Sequence, residues 1–402
     1  MPLWQVRLAC MLFFIVPGLA YGLFVSRLPA LAEQVNARSD ALGLVLLCSG
    51  LAAVTGLTAA GRVIGWIGVR TVLVAGSFAA LGAVCAMALA SSVLHLAVLA
   101  LLCGLGTGFL DVAMNVQGVE VERQYARPSM NLLHAGFNIG SFSGSILGSL
   151  FAAAGIGPDL NFLLPSAAIL LTLLWATPRL LDPLPAPGAC GSAKADEAGR
   201  AARPQRRALI SAVPWFVVGW GLLAMIAYVV EGVAAEWGSL YMHQGKGAPE
   251  SVAALAYGAY SVCAVTCRLF ADRLRLVLGD ARLMFIGALT AFVGLSTVLL
   301  SPWWSLTLAG YALMGVGLAP IVPLIFSHAS SFEGVAVEKA TSVLALCAYS
   351  GLLLFPPLFG FIAEHAGLGR SISIALALLV VIAAGTFAIM RRSLARAGAS
   401  RF

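Results

Sequence analysis

Residues 93–118 read VLHLAVLALLCGLGTGFLDVAMNVQG, 26 residues with one charged side chain, Asp111. A helix needs about 20 mostly apolar residues to cross the hydrocarbon core of a bilayer. This stretch therefore predicts a membrane-spanning helix. The same pattern recurs along the chain, at about 8–30, 41–64, 70–91, 93–118, 130–154, 160–180, 209–241, 251–271, 282–301, 303–328, 340–363 and 370–391. Twelve spans use roughly 240 of the 402 residues. Composition agrees, with 60% hydrophobic and 10% charged residues. A soluble domain is about 45–50% apolar and about 25% charged. A soluble globular enzyme, a disordered chain and a nucleic-acid-binding protein are excluded. The expectation is an all-α membrane protein of twelve transmembrane helices with the bilayer as its surroundings.

The longest polar stretch, 182–208, holds Pro183, Pro185, Pro187, Lys194, Asp196, Glu197 and four arginines. It reads as a flexible cytoplasmic linker between an N-terminal half, 1–181, and a C-terminal half with a short tail, 209–402. Lys and Arg gather on the cytoplasmic side of membrane proteins. With both termini inside, 20 of the 24 basic residues fall inside and Arg27, Arg38, Lys246 and Arg370 fall outside. The net charge of +7 is thus a topology signal. The apolar run after Arg7 continues through Leu28 with no small-x-small cleavage site, so it reads as a retained first helix.

The halves repeat. Gly61-Arg62 answers Cys267-Arg268, Gly106-Thr107-Gly108 answers Gly315-Val316-Gly317, and Gly148, Gly155 and Gly157 answer Gly360, Gly367 and Gly369, at offsets of 206, 209 and 212. Parallel repeats of this kind place a substrate site at their interface near the bilayer midplane.

Ionisable groups inside spans are the candidates for function. Asp111 is the strongest proton carrier, because burial disfavours a bare charge; Asn115 lies one turn on. His134 and Asn138 in the fifth span are again four apart and suit solute binding or proton relay. In the seventh span Glu231 is the deeper acid and Glu236 lies nearer the outer mouth. Trp237 and Tyr241 there form an aromatic face that suits stacking on a solute. Arg268, Asp272 and Arg273 close the eighth span and suit a cytoplasmic gate clasp; the Glu120, Glu122, Arg123 cluster after the fourth span reads similarly. Gly136, Gly140, Gly144 and Gly148 form a stripe for close helix packing. Pro320 with Pro323, and Pro356 with Pro357, predict interruptions of the tenth and eleventh spans.

The eight cysteines read as small apolar fillers, apart from Cys190 in a polar loop. No HExxH, GxSxG or P-loop motif is present. Covalent catalysis, a metal, a cofactor and ATP-driven transport by this chain are therefore not expected. Energy for transport would come from an ion gradient or the solute's own gradient.

Twelve spans in two halves, a basic central linker and Arg268, Asp272 and Arg273 resemble the major facilitator superfamily. Leu110-Asp111-x-Ala113-x-Asn115 resembles the Leu-Glu-x-Ala-x-Asn segment of the fucose–proton symporters. Asn131-Leu-Leu-His134 followed by Phe137-Asn138 resembles their fifth span. Glu231 with Trp237 and Tyr241 is similar to the seventh span of the wider sugar-permease branch, bacterial inner-membrane permeases of mostly unassigned substrate. Two departures stand out. Residues 61–70 read GRVIGWIGVR, with Gly65 and Trp66 where the superfamily's loop carries Asp-Arg. Val25 stands where fucose symporters carry an acid.

The resemblance implies the major facilitator fold and a monomeric, proton-coupled symporter of a small polar solute, a sugar or related metabolite, in a bacterial inner membrane. Asp111, Glu231 and His134 would couple protons. Asn115, His134, Asn138, Glu231, Trp237 and Tyr241 would bind solute. The rivals are a proton-antiport exporter of amphipathic compounds and a non-transporting sensor on the same fold.

Overall fold

In a bilayer no water is available for exposed backbone groups, so a spanning segment must pair its own N–H and C=O groups, and a helix does this within one segment. The structure, a computed structural model, describes residues 1–126, 129–181, 214–327 and 337–399. The expected linker 182–208 lies outside the described residues. Among the described residues there are helices and no strands. Twelve long helices follow the predicted spans: α1 (Leu3–Ser26), α2 (Ser39–Ile67), α3 (Val69–Met87), α4 (Val93–Tyr125), α5 (Met130–Ala153), α6 (Pro158–Ala176), α7 (Trp215–Glu236), α8 (Leu255–Leu278), α9 (Asp280–Leu300), α10 (Trp304–Leu318), α11 (Val337–Ala366) and α12 (Leu368–Ala399).

Eleven of the spans are long and apolar enough to cross a membrane. The exception is α5, whose glycines and serines dilute its hydropathy. That composition follows from its position. Gly136, Gly140, Gly144 and Gly148 lie against Met11, Ile15, Gly18, Gly22, Leu23 and Ser26 of α1. Gly18 and Gly22 return the contact, facing the backbone of Phe137 and Ser141. A methyl group at any of these positions would press into its neighbour, so the two backbones approach as only small residues permit.

The two halves are built alike. In the first, α1 packs on α5 and α6, and α4 packs on α2 and α3; in the second, α7 packs on α11 and α12, and α10 packs on α8 and α9. Glycines mark both sets. Gly108 of α4 meets Ala53 of α2 and Gly106 meets Ala79 and Ala80 of α3, while Gly315 of α10 meets Tyr260 and Ala264 of α8 and Gly317 meets Gly287 and Ala291 of α9. The halves join through α2 with α11 and α5 with α8, pairs that exchange under the same pseudo-twofold.

Two helix boundaries depart from expectation. The break at Pro320 is present, with α10 stopping at Leu318 and resuming as Ile321–Ser327. By contrast α11 runs unbroken through Pro356 and Pro357. Their predicted interruption is corrected: packing against Ser39 and Gly43 of α2 holds the helix together where proline removes its donors. The seventh span ends at Glu236 and turns at Trp237 into a short helix, Gly238–Leu240, and a wide turn, Tyr241–Gly245.

Candidate functional site

One end of the bundle holds Met1, whose carbonyl accepts from the Tyr125 hydroxyl at 2.8 Å; this is the termini end, where α1 begins and α12 finishes, and the far end lies opposite. There the halves touch. Arg27, at the end of α1 and only 2% exposed, lies 3.0 Å from Glu250 at the entry to α8. It also donates to the Ile156 carbonyl at 2.9 Å. Arg38 lies 2.8 Å from Glu364, whose other oxygen accepts from the Ser39 N–H at 3.0 Å. The Ser239 hydroxyl donates to the Val25 carbonyl at 2.6 Å. His243 places Nε2 3.1 Å from Glu33 and Nδ1 2.8 Å from the Ala248 carbonyl. Both ring nitrogens thus face oxygen atoms. Below this layer Tyr21 of α1 meets Tyr257 of α8 edge to face at 5.5 Å, and Tyr257 stacks on Tyr260 at 6.0 Å.

Toward the termini end the halves part around a cavity. Its inner compartment, about 420 Å³, is lined by Asp111 of α4, His134 and Asn138 of α5, Tyr228 and Glu231 of α7, and Tyr257 and Arg268 of α8. An adjoining compartment of about 500 Å³ continues past His134, Asn138 and Arg268 to Arg275 and Pro323. Helical spacing puts these groups there. Tyr228 and Glu231 are three apart, His134 and Asn138 four apart, and Tyr257, Tyr260, Ala264 and Arg268 follow one face of α8.

Asp111 and Glu231 are half-buried on opposite walls, while His134 and Arg268 are exposed to the cavity. His134 lines the same compartment as Asp111. Asn115 turns its amide back to the Asp111 carbonyl at 2.7 Å and faces an adjoining apolar groove, lined also by Leu57, Val116 and Val119. Asn138 donates to the His134 carbonyl at 3.4 Å, and His134 meets Phe14 edge to face at 5.1 Å. Glu231 has the Tyr260 hydroxyl and Arg268 in its surroundings.

The structure thus brings together Asp111, His134, Asn138 and Glu231, four of the expected residues. It separates two others. Trp237 is fully buried inside the C-terminal half, 4.6 Å from Phe359, and Tyr241 is buried beneath the Lys246 ammonium at 5.5 Å. The turn after Glu236 swings both rings away from the cavity, which corrects the aromatic face expected of them.

Arg268 is also displaced from expectation. It lies in the cavity wall with Glu231, above the end of the helix, and the Asp272 side chain lies outside the described ones. Arg273 is exposed further along α8. An ion pair that ties this end is Arg275 with Asp280, at 2.6 and 2.8 Å, and Arg275 also donates to Ser327 at 3.0 Å. In the other half Glu122 accepts the Ser129 and Met130 N–H groups at 2.6 and 2.9 Å, satisfying free donors at the start of α5.

Sequence reading missed Tyr228, Tyr257 and the Arg27–Glu250 pair. Tyr228 was within reach of a periodicity argument, being three residues before Glu231. The pair was not, since 223 residues separate its members.

Solved structures with the same architecture include a mutant of the nucleoside transporter NupG, with TM-score 0.75, 13% identity and coverage of 95% of this chain and 99% of that one. A D-xylose-proton symporter gives 0.71 at 15% identity, covering 96% and 97%. A bacterial homologue of the human lysosomal transporter Spinster, inward-facing and unoccupied, gives 0.73 at 14% identity, covering 97% of both. At these identities the likeness is one of fold.

Among relatives in sequence, an uncharacterized transporter y4wD of Sinorhizobium fredii is 30% identical over 88% of this chain and 90% of its own. Membrane protein MosC of Rhizobium meliloti is 28% identical over 92% and 86%. The family model for the Major Facilitator Superfamily matches residues 10–245 and 234–401. With both halves so matched, the chain belongs to the Major Facilitator Superfamily, and it is an integral membrane transporter of that type.

Proposed function

We propose that the chain is a proton-coupled symporter that moves a small polar solute across a bacterial inner membrane by alternating access, with its termini and the open end of the cavity facing the cytoplasm. The observation that carries this reading is the cavity between the halves, which gathers Asp111, His134, Asn138, Glu231 and Arg268 in a space of about 420 Å³. Ionisable groups this deep in a membrane protein are rare and mark substrate and proton paths. A cavity of this volume suits a small-molecule ligand. The 20-to-4 distribution of basic residues supports the orientation.

The roles divide by surroundings. Glu231 has Arg268 to balance its charge and is suited to hold solute hydroxyl or amine groups. Asp111 lies on the other half, where His134 lines the same compartment, and is suited to taking up and releasing a proton. The inward-facing arrangement would release both solute and proton to the cytoplasm. Closure of the α5 and α8 ends around the cavity, with parting of the Arg27–Glu250 layer, would present the same groups to the other side. Arg268 and Arg273 would join the cytoplasmic closure in that state.

The test is reconstitution of the purified chain into liposomes with an imposed pH gradient, inside alkaline, and a screen of labelled sugars, organic acids and amino acids. Accumulation above equilibrium that collapses with a protonophore is expected. Efflux of lipophilic cations driven by the opposite gradient would favour an exporter and overturn the symport reading.

A further inference from the structure

Glu231 and Arg268, an acid and a base, line one compartment and act on each other electrostatically. Yet no nitrogen of Arg268 comes within 4.0 Å of a Glu231 oxygen, and Arg268 makes no hydrogen bond with any of the described residues. Elsewhere between the halves charges that share a space have closed on each other, as Arg27 and Glu250 have at 3.0 Å. Here a gap is kept. Tyr228, Tyr257 and Tyr260 are also close enough to act on the guanidinium, but a phenol offers no carboxylate for its fork of donors.

A guanidinium presents five N–H groups in a plane whose natural partner is a two-oxygen anion held by parallel hydrogen bonds. A hydroxyl fills one of those donors at a time. Glu231, as a carboxylate, only accepts, so whatever meets it must donate. A solute that fits both walls has an anionic end and a donating end on one small skeleton. Asp111 and His134 stand on the other half and are not needed to balance such a solute, which leaves them for the proton.

We infer that the transported solute carries a carboxylate together with an ammonium or hydroxyl group, and that it bridges Arg268 and Glu231 across the gap. Neutral sugars, the expectation from family resemblance, lack the first of these. This inference rests on the cavity being the transport site.

The test is calorimetric titration of the purified full-length chain with hydroxy acids and amino acids of three to six carbons. The uncharged polyol or sugar of each size is titrated beside them. At least one acid should bind about tenfold or more tightly than its uncharged counterpart, the margin of a charge-assisted bidentate contact over a neutral one. Arg268→Gln should erase that margin, and Arg268→Lys, which keeps the charge and loses the fork, should retain part of it. Monodispersity of each variant on size exclusion, with an unchanged thermal midpoint, separates lost binding from lost folding. An uncharged member that binds as tightly as its acid, an acid affinity unmoved by Arg268→Gln, or no acid bound at all would overturn the inference. If a neutral sugar is accumulated by proteoliposomes while acids are not, this inference falls and the transport reading stands. If no solute of any class moves, both fall.

Discussion

At the far end Arg27 lies 3.0 Å from Glu250, Arg38 lies 2.8 Å from Glu364, and His243 lies 3.1 Å from Glu33. In the cavity Asp111, Glu231, His134 and Arg268 face one another across space. The two regions hold the same residue types and both lie between the same halves. At Arg27, whose side chain is 3% exposed, water has left and the charge must find a protein partner or be stranded, because a buried unpaired charge is among the most destabilising features a protein can carry. In the cavity water enters, and an unpaired charge remains tolerable until a solute replaces that water. The contrast is what alternating access requires: a paired layer that shuts one end and an unpaired set that is free to bind. When the molecule inverts, the first layer must be broken and the second enclosed.

The comparison can be broken most forcefully at Arg27. Arg27→Met leaves Glu250 without its cation and the Ile156 carbonyl without its donor. Loss of one partner of a buried pair costs about 3–5 kcal/mol, and the far end should open or the protein should lose that much stability. Labelling by an impermeant maleimide at Ser239→Cys, a position 3% exposed, should rise by about a hundredfold or more over the same reporter with Arg27 intact. Unchanged labelling with an unchanged thermal midpoint would show that the pair is not what closes this end.

A smaller effect is expected in α5, which joins the two regions by packing its glycines on α1 and presenting His134 and Asn138 to the cavity. Gly140→Val would press into the backbone of Ile15 and Leu19. Overpacking of this kind costs about 1–3 kcal/mol, read as a lowered thermal midpoint. Gly61→Ala, with nothing within 4 Å of the added atom, should be neutral or stabilising by up to about 1 kcal/mol through helix propensity.

The smallest effect belongs to Arg38 and Glu364, whose side chains are 66% and 23% exposed. Glu364→Gln should change far-end labelling by no more than the equivalent of about 1 kcal/mol, and the difference should fade in high salt. A shift as large as that of Arg27→Met would mean that exposure does not rank the two pairs.

Much of this was legible in the sequence, and for identifiable reasons. Apolar run length located all twelve helices, since the bilayer sets the length of a spanning segment. The placement of Asp111 and Glu231 inside such runs marked them, and the structure sets both in one cavity with His134 and Asn138. The glycine spacing of α5 was visible, although its partner face on α1 was not. What failed depended on local irregularity or on distant pairing. Trp237 and Tyr241 share a face only if the helix continues past Glu236, and it turns there. Pro356 and Pro357 suggest a break only if the helix stands alone, and α2 supports it. Arg268 looked like a terminal clasp because of its charged neighbours in sequence, while its depth and its facing of Glu231 are set by how α8 lies against α7. No sequence spacing announces that Arg27 will meet Glu250.

The central claim is that the unpaired cavity groups divide the work, Asp111 carrying the proton and Glu231 holding the solute. Uptake into proteoliposomes, with and without a pH gradient, tests it most directly on the solute found by the screen. Asp111→Asn, which imitates the protonated acid, should keep solute exchange near the wild-type rate and lose gradient-driven accumulation, about tenfold per pH unit for one coupled proton. Glu231→Gln should instead weaken solute binding. Uphill accumulation by Asp111→Asn at the wild-type level under the same gradient would contradict the claim.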